Sequence, residues 1–194
     1  MKKQNSIQSG FTLIELLIAL FILGLIAAVV VPNFSGDKTK GQVLNSTMQE
    51  TGQALIRMHL DTGCYPNRLD TLFEQSLNTA ANNMCGVDTT AQWQGPYISP
   101  VPVNTSGLMT IDNIAAGATI GIGSVAGGIG TEYFLIASNV PNSIVHDAVL
   151  ACNGTDNTGT VTFGLGAGVS ALAKCEGTVG TSVGTFSYMF DETK

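Results

Sequence analysis

Charge is scarce in this chain. Asp, Glu, Lys and Arg make up 11% of its 194 residues, against a usual share near ~25%. Basic residues are the scarcer sign, 8 against 14 acidic, for a formal net charge of −6. That balance argues against non-specific nucleic-acid binding, which needs clustered Lys and Arg to neutralise phosphates. Histidine occurs only as His59 and His146, too few for a histidine-based metal cluster. The four cysteines lack CxxC spacing, so a four-cysteine zinc site is not expected either. No Ser-His-Asp or Cys-His constellation is legible. The expectation is therefore a chain with no catalytic role, no cofactor and no metal. Heptads and fixed-period repeats are also missing. What is abundant is apolar: 44% hydrophobic residues, with 23 glycines. Such a chain is too apolar for a disordered protein, and its length suits one domain plus an appendage.

The appendage is legible at once. Residues 1–10 read MKKQNSIQSG, and FTLIELLIALFILGLIAAVVVPNF follows; no charge falls between Leu16 and Gly36. Phe11 to Phe34 is 24 residues, enough as a helix to cross a hydrocarbon core of ~30 Å. Lys2 and Lys3 precede it, and the positive-inside rule would hold that end in the cytoplasm. A secretory signal peptide fits poorly, because its apolar region is about 7–15 residues and ends at a small-residue cleavage site. A plain anchor leaves Glu15 unexplained, since a carboxylate at mid-membrane costs about 2.5–3.5 kcal/mol. A buried helix of a soluble domain fails on the length of the uncharged run.

The string Gly10-Phe11-Thr12-Leu13-Ile14-Glu15-Leu16 resembles the start of the type IV pilin family: a short basic leader ending in Gly, then Phe, then an apolar run with one Glu. The resemblance covers about residues 1–35. It implies that a membrane prepilin peptidase cuts between Gly10 and Phe11 and methylates the new amine of Phe11. It implies that Glu15 acts in filament assembly, and that Gly24 and Pro32 stand where pilin helices kink or melt. Pro32 also predicts a bend by itself, because it has no N–H to bond to Ala28.

Beyond Pro32, Leu44, Met48, Leu55 and His59 fall on one helical face, which predicts a helix over Asp37–Asp61 ending at Gly63. His59 reads as a core histidine hydrogen-bonded to backbone. A short helix is expected over Asp70–Leu77. Trp93-Gln94-Gly95-Pro96-Tyr97 reads as a loop packed by two aromatics, and similar strings occur in major pseudopilins of type II secretion; the calcium-site pattern of those proteins is not evident. Strands are expected at Leu108–Asp112, Thr119–Ile122, Thr131–Ala137, Thr160–Leu165 and Val183–Phe190. Apolar residues at 144, 145, 148, 149 and 152 predict a helix, with Asn142 or Ser143 as its N-cap. The fold class is thus α+β: a long hydrophobic N-terminal helix, membrane-spanning in its first half, packed on a C-terminal antiparallel sheet. The expected organisation is a leader at 1–10, a hydrophobic helix at 11–36, an amphipathic helix at 37–63 and a globular head at 64–194.

The head would lie in an oxidising compartment, so disulfides are expected among Cys64, Cys85, Cys152 and Cys175. Three connectivities exist; sequence-local closure favours Cys64–Cys85 and Cys152–Cys175. Gly121 to Ala126 fits a loose G-x-G-x-x-A pattern, but no helix follows, so a flexible loop or an edge strand is the better reading than a nucleotide site. Asn153 to Asn157 reads as a polar turn rather than a calcium loop. Three Asn-x-Ser/Thr sequons, at Asn45, Asn104 and Asn153, read as chance matches.

The resemblance implies a subunit that polymerises through its N-terminal helix into a type IV pilus for adhesion, motility, aggregation or DNA uptake. The alternative is a type II secretion pseudopilin. The partners implied are like subunits, the prepilin peptidase, an assembly platform and, before assembly, the inner membrane. The mature location would be an extracellular fibre, or a periplasmic pseudopilus. Nucleic acid is a minor alternative, resting on Lys38 and Lys40, because cleavage removes Lys2 and Lys3 and makes the balance more acidic. A membrane-anchored enzyme is the outside option.

Overall fold

The structure is a computed structural model, and it describes residues 14–21, 36–126, 130–155 and 174–193. The chain divides into two compact units, Met1–Gly36 and Asp37–Lys194. In the first, residues 14–21 are helical (α1). Among the described residues no helix is long and apolar enough to cross a membrane. The span expected over 11–34 lies largely outside them.

Helix α2, Gly36–Thr62, belongs to the second unit from Asp37 onward. Leu44, Met48 and Leu55 form its fully buried stripe, joined by Met58. Two glycines set how closely this helix can be approached. A Cβ on Gly41 would come within 2.6 Å of the Asp147 Cβ, and one on Gly52 within 2.8 Å of the Phe190 Cβ. The helix stops at Gly63, whose φ of 74° favours a residue without Cβ and whose N–H bonds back to the His59 carbonyl. The single short helix expected at 70–77 is instead two 3₁₀ turns, Asp70–Leu72 and Gln75–Leu77. The Asn78 amide donates to the carbonyls of Thr71, Glu74 and Gln75, a local side-chain partner that competes with a continuing helix.

Five strands follow: β1 Met109–Thr110, β2 Thr119–Ala126, β3 Thr131–Pro141, β4 Cys175–Val179 and β5 Val183–Thr193. Their order is β1-β2-β3-β5-β4, and every neighbouring pair is antiparallel. Between β3 and β4 lies α3, Asn142–Asn153. It carries the chain past the sheet, so that β4 takes the outer edge and β5 returns between β3 and β4. Ile120, Leu135, Ala137 and Phe186 meet α2 and the buried α3 residues Ile144, Val145, Ala148 and Val149 in one core. An α+β head with a helix packed against an antiparallel sheet is thus the observed architecture.

Several expectations need correction. The strand expected at 108–112 is only two residues long. The strand β4 was not expected at all. Asn142 and Ser143 do not cap α3: Pro141 occupies that position with no side-chain bond. The Asn142 amide donates to the Gly180 carbonyl, and the Ser143 hydroxyl to the Asp37 carboxylate. Of the loop and the edge strand expected at Gly121 to Ala126, the structure has the edge strand: these residues pair with β3 on one side, while β1 reaches only Thr119 and Ile120 on the other. A Cβ at Gly121 would lie 2.9 Å from Leu108, and one at Gly123 2.8 Å from the Phe134 ring. These glycines make room for neighbouring side chains. The strand expected at 160–165 lies outside the described residues.

Candidate assembly segment and the head surface

The candidate site is the N-terminal segment, and α1 is its described part. Ile14, Leu16, Leu17, Ile18, Leu20 and Phe21 are all exposed, by 54 to 68%. Over two helical turns the apolar side chains point in every direction, so no polar face exists to meet water. A helix apolar all round is one that is buried in a larger assembly or in a membrane. Glu15 is the one charged residue of this stretch and is also exposed. Gly10, Phe11, Gly24 and Pro32 lie outside the described residues.

The head closes around an aromatic cluster at the end of α2. Tyr65 is 2% exposed. The half-buried His59 ring stacks flat on it, centroids 4.3 Å apart and planes 9° apart; this ring contact takes the place of the backbone bond expected for His59. Tyr133 of β3 and Phe190 of β5 pack at 4.3 and 5.4 Å. The Tyr65 hydroxyl donates to the Asp191 carboxylate. Burial, and then that carboxylate, push the Tyr65 hydroxyl well above the usual tyrosine range. Asp191 escaped the sequence reading. Its only signal is a carboxylate directly after the alternating Phe186, Tyr188 and Phe190.

A second knot ties the loop after α2 to the helix. Trp93 and Tyr97 pack edge to face at 5.7 Å. The Trp93 ring N–H donates to the Thr71 carbonyl at 2.9 Å, and the Tyr97 hydroxyl donates to Asp61 at 2.8 Å. Arg57 donates to the Tyr97 carbonyl at 3.1 Å. Beside it a cavity of about 410 Å³ opens between α2, the loop and β1. Two disulfides lock the periphery. Cys64 is bonded to Cys85, with Cα atoms 5.9 Å apart. Cys152 is bonded to Cys175 at 6.2 Å, fastening the end of α3 to the edge strand β4.

Among the described residues no group of three or more His, Cys, Asp or Glu could hold a metal ion. Asn45 is 7% exposed, too enclosed to accept a glycan. Residues 156 and 157 of the polar turn lie outside the described residues.

Three comparisons bear on this arrangement. A family model described as the prokaryotic N-terminal methylation motif matches residues 5–31. The chain is similar to a fimbrial protein of Neisseria meningitidis serogroup B, 33% identical over 108 residues, or 55% of each chain. It is also similar to the type II secretion system core protein G of Aeromonas hydrophila, 34% identical over 51% of this chain and 68% of that one. The corresponding protein of Pseudomonas aeruginosa is 32% identical, over 54% and 72%. No solved structure matches the chain. The chain spans about half the length of the fimbrial relatives it matches, 55%. The core of the resemblance read at Gly10–Leu16 therefore stands: the chain belongs to the type IV pilin-like family.

Proposed function

We propose that this chain is a structural subunit that polymerises through its N-terminal helix into a type IV pilus. The observation that carries the reading is α1, whose apolar side chains are exposed on every side and hold one carboxylate, Glu15, in their midst. Such a surface is stable only when other helices or lipid cover it. On this reading residues 1–10 are a leader, 11–36 the assembly helix, 37–63 its continuation and 64–194 the head. A prepilin peptidase cuts after Gly10 and methylates Phe11. Before cleavage the subunit is held in the inner membrane; an assembly platform then draws it into an extracellular fibre.

Glu15 is assigned to the assembly step. Four residues, one helical turn, separate it from the amine that cleavage creates on Phe11. In a helical bundle with little water a lone carboxylate is costly, and that amine is the nearby cation that can offset it. Pairing with the amine of a neighbouring subunit would set the register of each incoming chain. Gly24 and Pro32 are assigned to a bend or local melting of the helix.

The second reading, a type II secretion pseudopilin, is favoured by coverage: the chain spans 68 and 72% of two secretion core proteins, more than of the fimbrial relatives. The relatives are named as fimbrial and secretion proteins, and neither reading asks this chain to catalyse a reaction. The test is Glu15→Ala in cells lacking the wild-type copy. The variant is expected to be cut normally, to begin at methylated Phe11 by mass spectrometry, and to stay in the membrane without surface filaments by electron microscopy. Abundant normal filaments from Glu15→Ala would refute the role given to Glu15. Wild-type cells with no surface filament but with protein export that depends on this chain would favour the pseudopilin.

A further inference from the structure

We propose that Asn153-Gly154 is a latent modification site, guarded by a disulfide. The Asn153 side chain cyclises onto the Gly154 nitrogen and loses ammonia once the Cys152–Cys175 bond is open, and is held back while that bond is closed. The chain contains no other Asn-Gly pair, and a residue without Cβ leaves the attacking nitrogen least hindered.

In this step the Gly154 nitrogen gives up its proton and attacks the Asn153 Cγ. A bond forms between that nitrogen and Cγ, the Cγ–Nδ2 bond breaks, and Nδ2 leaves as ammonia with the released proton. Water then opens the five-membered imide at either carbonyl, to aspartate or to isoaspartate. Nothing is oxidised or reduced.

Both reacting groups are restrained in the folded head. Asn153 is the last residue of α3, and Gly154 caps the helix with a φ of 74°. The Gly154 N–H donates to the Leu150 carbonyl at 2.9 Å, so the proton that must leave is engaged. The Asn153 Nδ2 donates to the Cys175 carbonyl at 2.8 Å, which holds the amide toward β4. One disulfide secures both restraints. Cys152, immediately before Asn153, is bonded to Cys175, the residue whose carbonyl receives the Asn153 amide. Cys175 in turn pairs with Tyr188 in the sheet. Helix ends open at little cost in free energy, but this last turn is pinned covalently to a strand. With the disulfide open the turn is free to fray, and its two hydrogen bonds are each weak alone.

Gly154 and Thr155 are exposed, so water reaches the imide. Aspartate at 153 sets a carboxylate against the Cys175 carbonyl, acceptor against acceptor. Isoaspartate adds a methylene to the main chain beside Cys152. Either product hinders reclosure of the disulfide, so the pair leaves an irreversible mark on a head that has stayed reduced.

The test follows the purified full chain in detergent, in mildly alkaline buffer, with peptide mass spectrometry reading conversion of Asn153 to aspartate and isoaspartate over time. The oxidised chain is compared with the chain kept reduced by a thiol reagent. Conversion is expected to be roughly tenfold to a hundredfold faster in the reduced chain, the scale of two hydrogen bonds given up before the attack. Cys152→Ser with Cys175→Ser should match the reduced chain without any reductant. Cys64→Ser with Cys85→Ser should stay as slow as the oxidised chain. Equal rates in the oxidised and reduced chains overturn the guarding role. So does equal acceleration by the two double variants, which would mean that loosening of the whole head, and not release of this turn, admits the attack.

Discussion

Phe21 and Phe186 are the same residue in opposite circumstances. Phe21 is 68% exposed on α1, and Phe186 is 0% exposed beneath α2. Around Phe186, strands from distant parts of the chain supply apolar neighbours, so burial is complete within one molecule. The described residues before Phe21, among them Leu17, Ile18 and Leu20, are equally apolar and are exposed as well. The head satisfies itself; the segment is apolar enough to be satisfied only by something else. That contrast separates a head that buries its own apolar surface from a segment whose apolar surface is left exposed.

The largest expected effect breaks the contrast from the side of the head. Phe186→Ala should cost the head about 3–5 kcal/mol, the range for emptying a large aromatic site in a packed core. Phe21→Ala, in the full chain in detergent, should leave the head's unfolding midpoint unchanged. Denaturant titration followed by near-UV circular dichroism reads both. Equal losses from the two substitutions would mean that α1 is part of the head's core.

A smaller effect is expected at the sheet edge. Cys152→Ser with Cys175→Ser reopens a loop of 23 residues and should cost about 3 kcal/mol in the chain-entropy account. For a head of this size that is a fall of roughly 6–12 °C in Tm. The loss should appear in calorimetry of the head and not in membrane retention of the full chain.

The smallest effect is a pH dependence. Burial raises the Tyr65 hydroxyl above its ordinary value, with Asp191 adding to the rise, and burial also raises Tyr188. For a group whose folded pKa is raised, the stabilisation is fully present below the unfolded value, ~10 for tyrosine, and is lost as pH rises beyond it. The head's Tm should therefore be level across neutral pH and fall above pH ~10. Tyr65→Phe should flatten part of that alkaline fall. A Tyr65→Phe head with an unchanged alkaline slope would remove this tyrosine from the account.

Much of this was legible early because it rests on local rules. The uncharged run after Glu15 needs only counting. The stripe Leu44, Met48, Leu55 needs only the helical period, and Gly63 ends α2 where a left-handed residue is wanted. The alternation of Phe186, Tyr188 and Phe190 marks β5 in the same way. Strand β4 had no such mark: Cys-Glu-Gly-Thr-Val contains a glycine and no full alternation, and it is a strand because β5 offers it a ladder. The glycines of β2 did not announce what they accommodate, since a Cβ there would meet Leu108 and the ring of Phe134, side chains supplied by other segments.

The sequence by itself determined that this chain has an apolar N-terminal segment with one carboxylate, a helix continuing beyond it and a β-rich remainder, because periodicity and charge are written residue by residue. Only the tertiary structure decided the strand order β1-β2-β3-β5-β4 and the hydrogen bond from Tyr65 to Asp191 across 126 residues. Those depend on which distant segments meet, and that is fixed by the packing of the whole core rather than by any window of the chain.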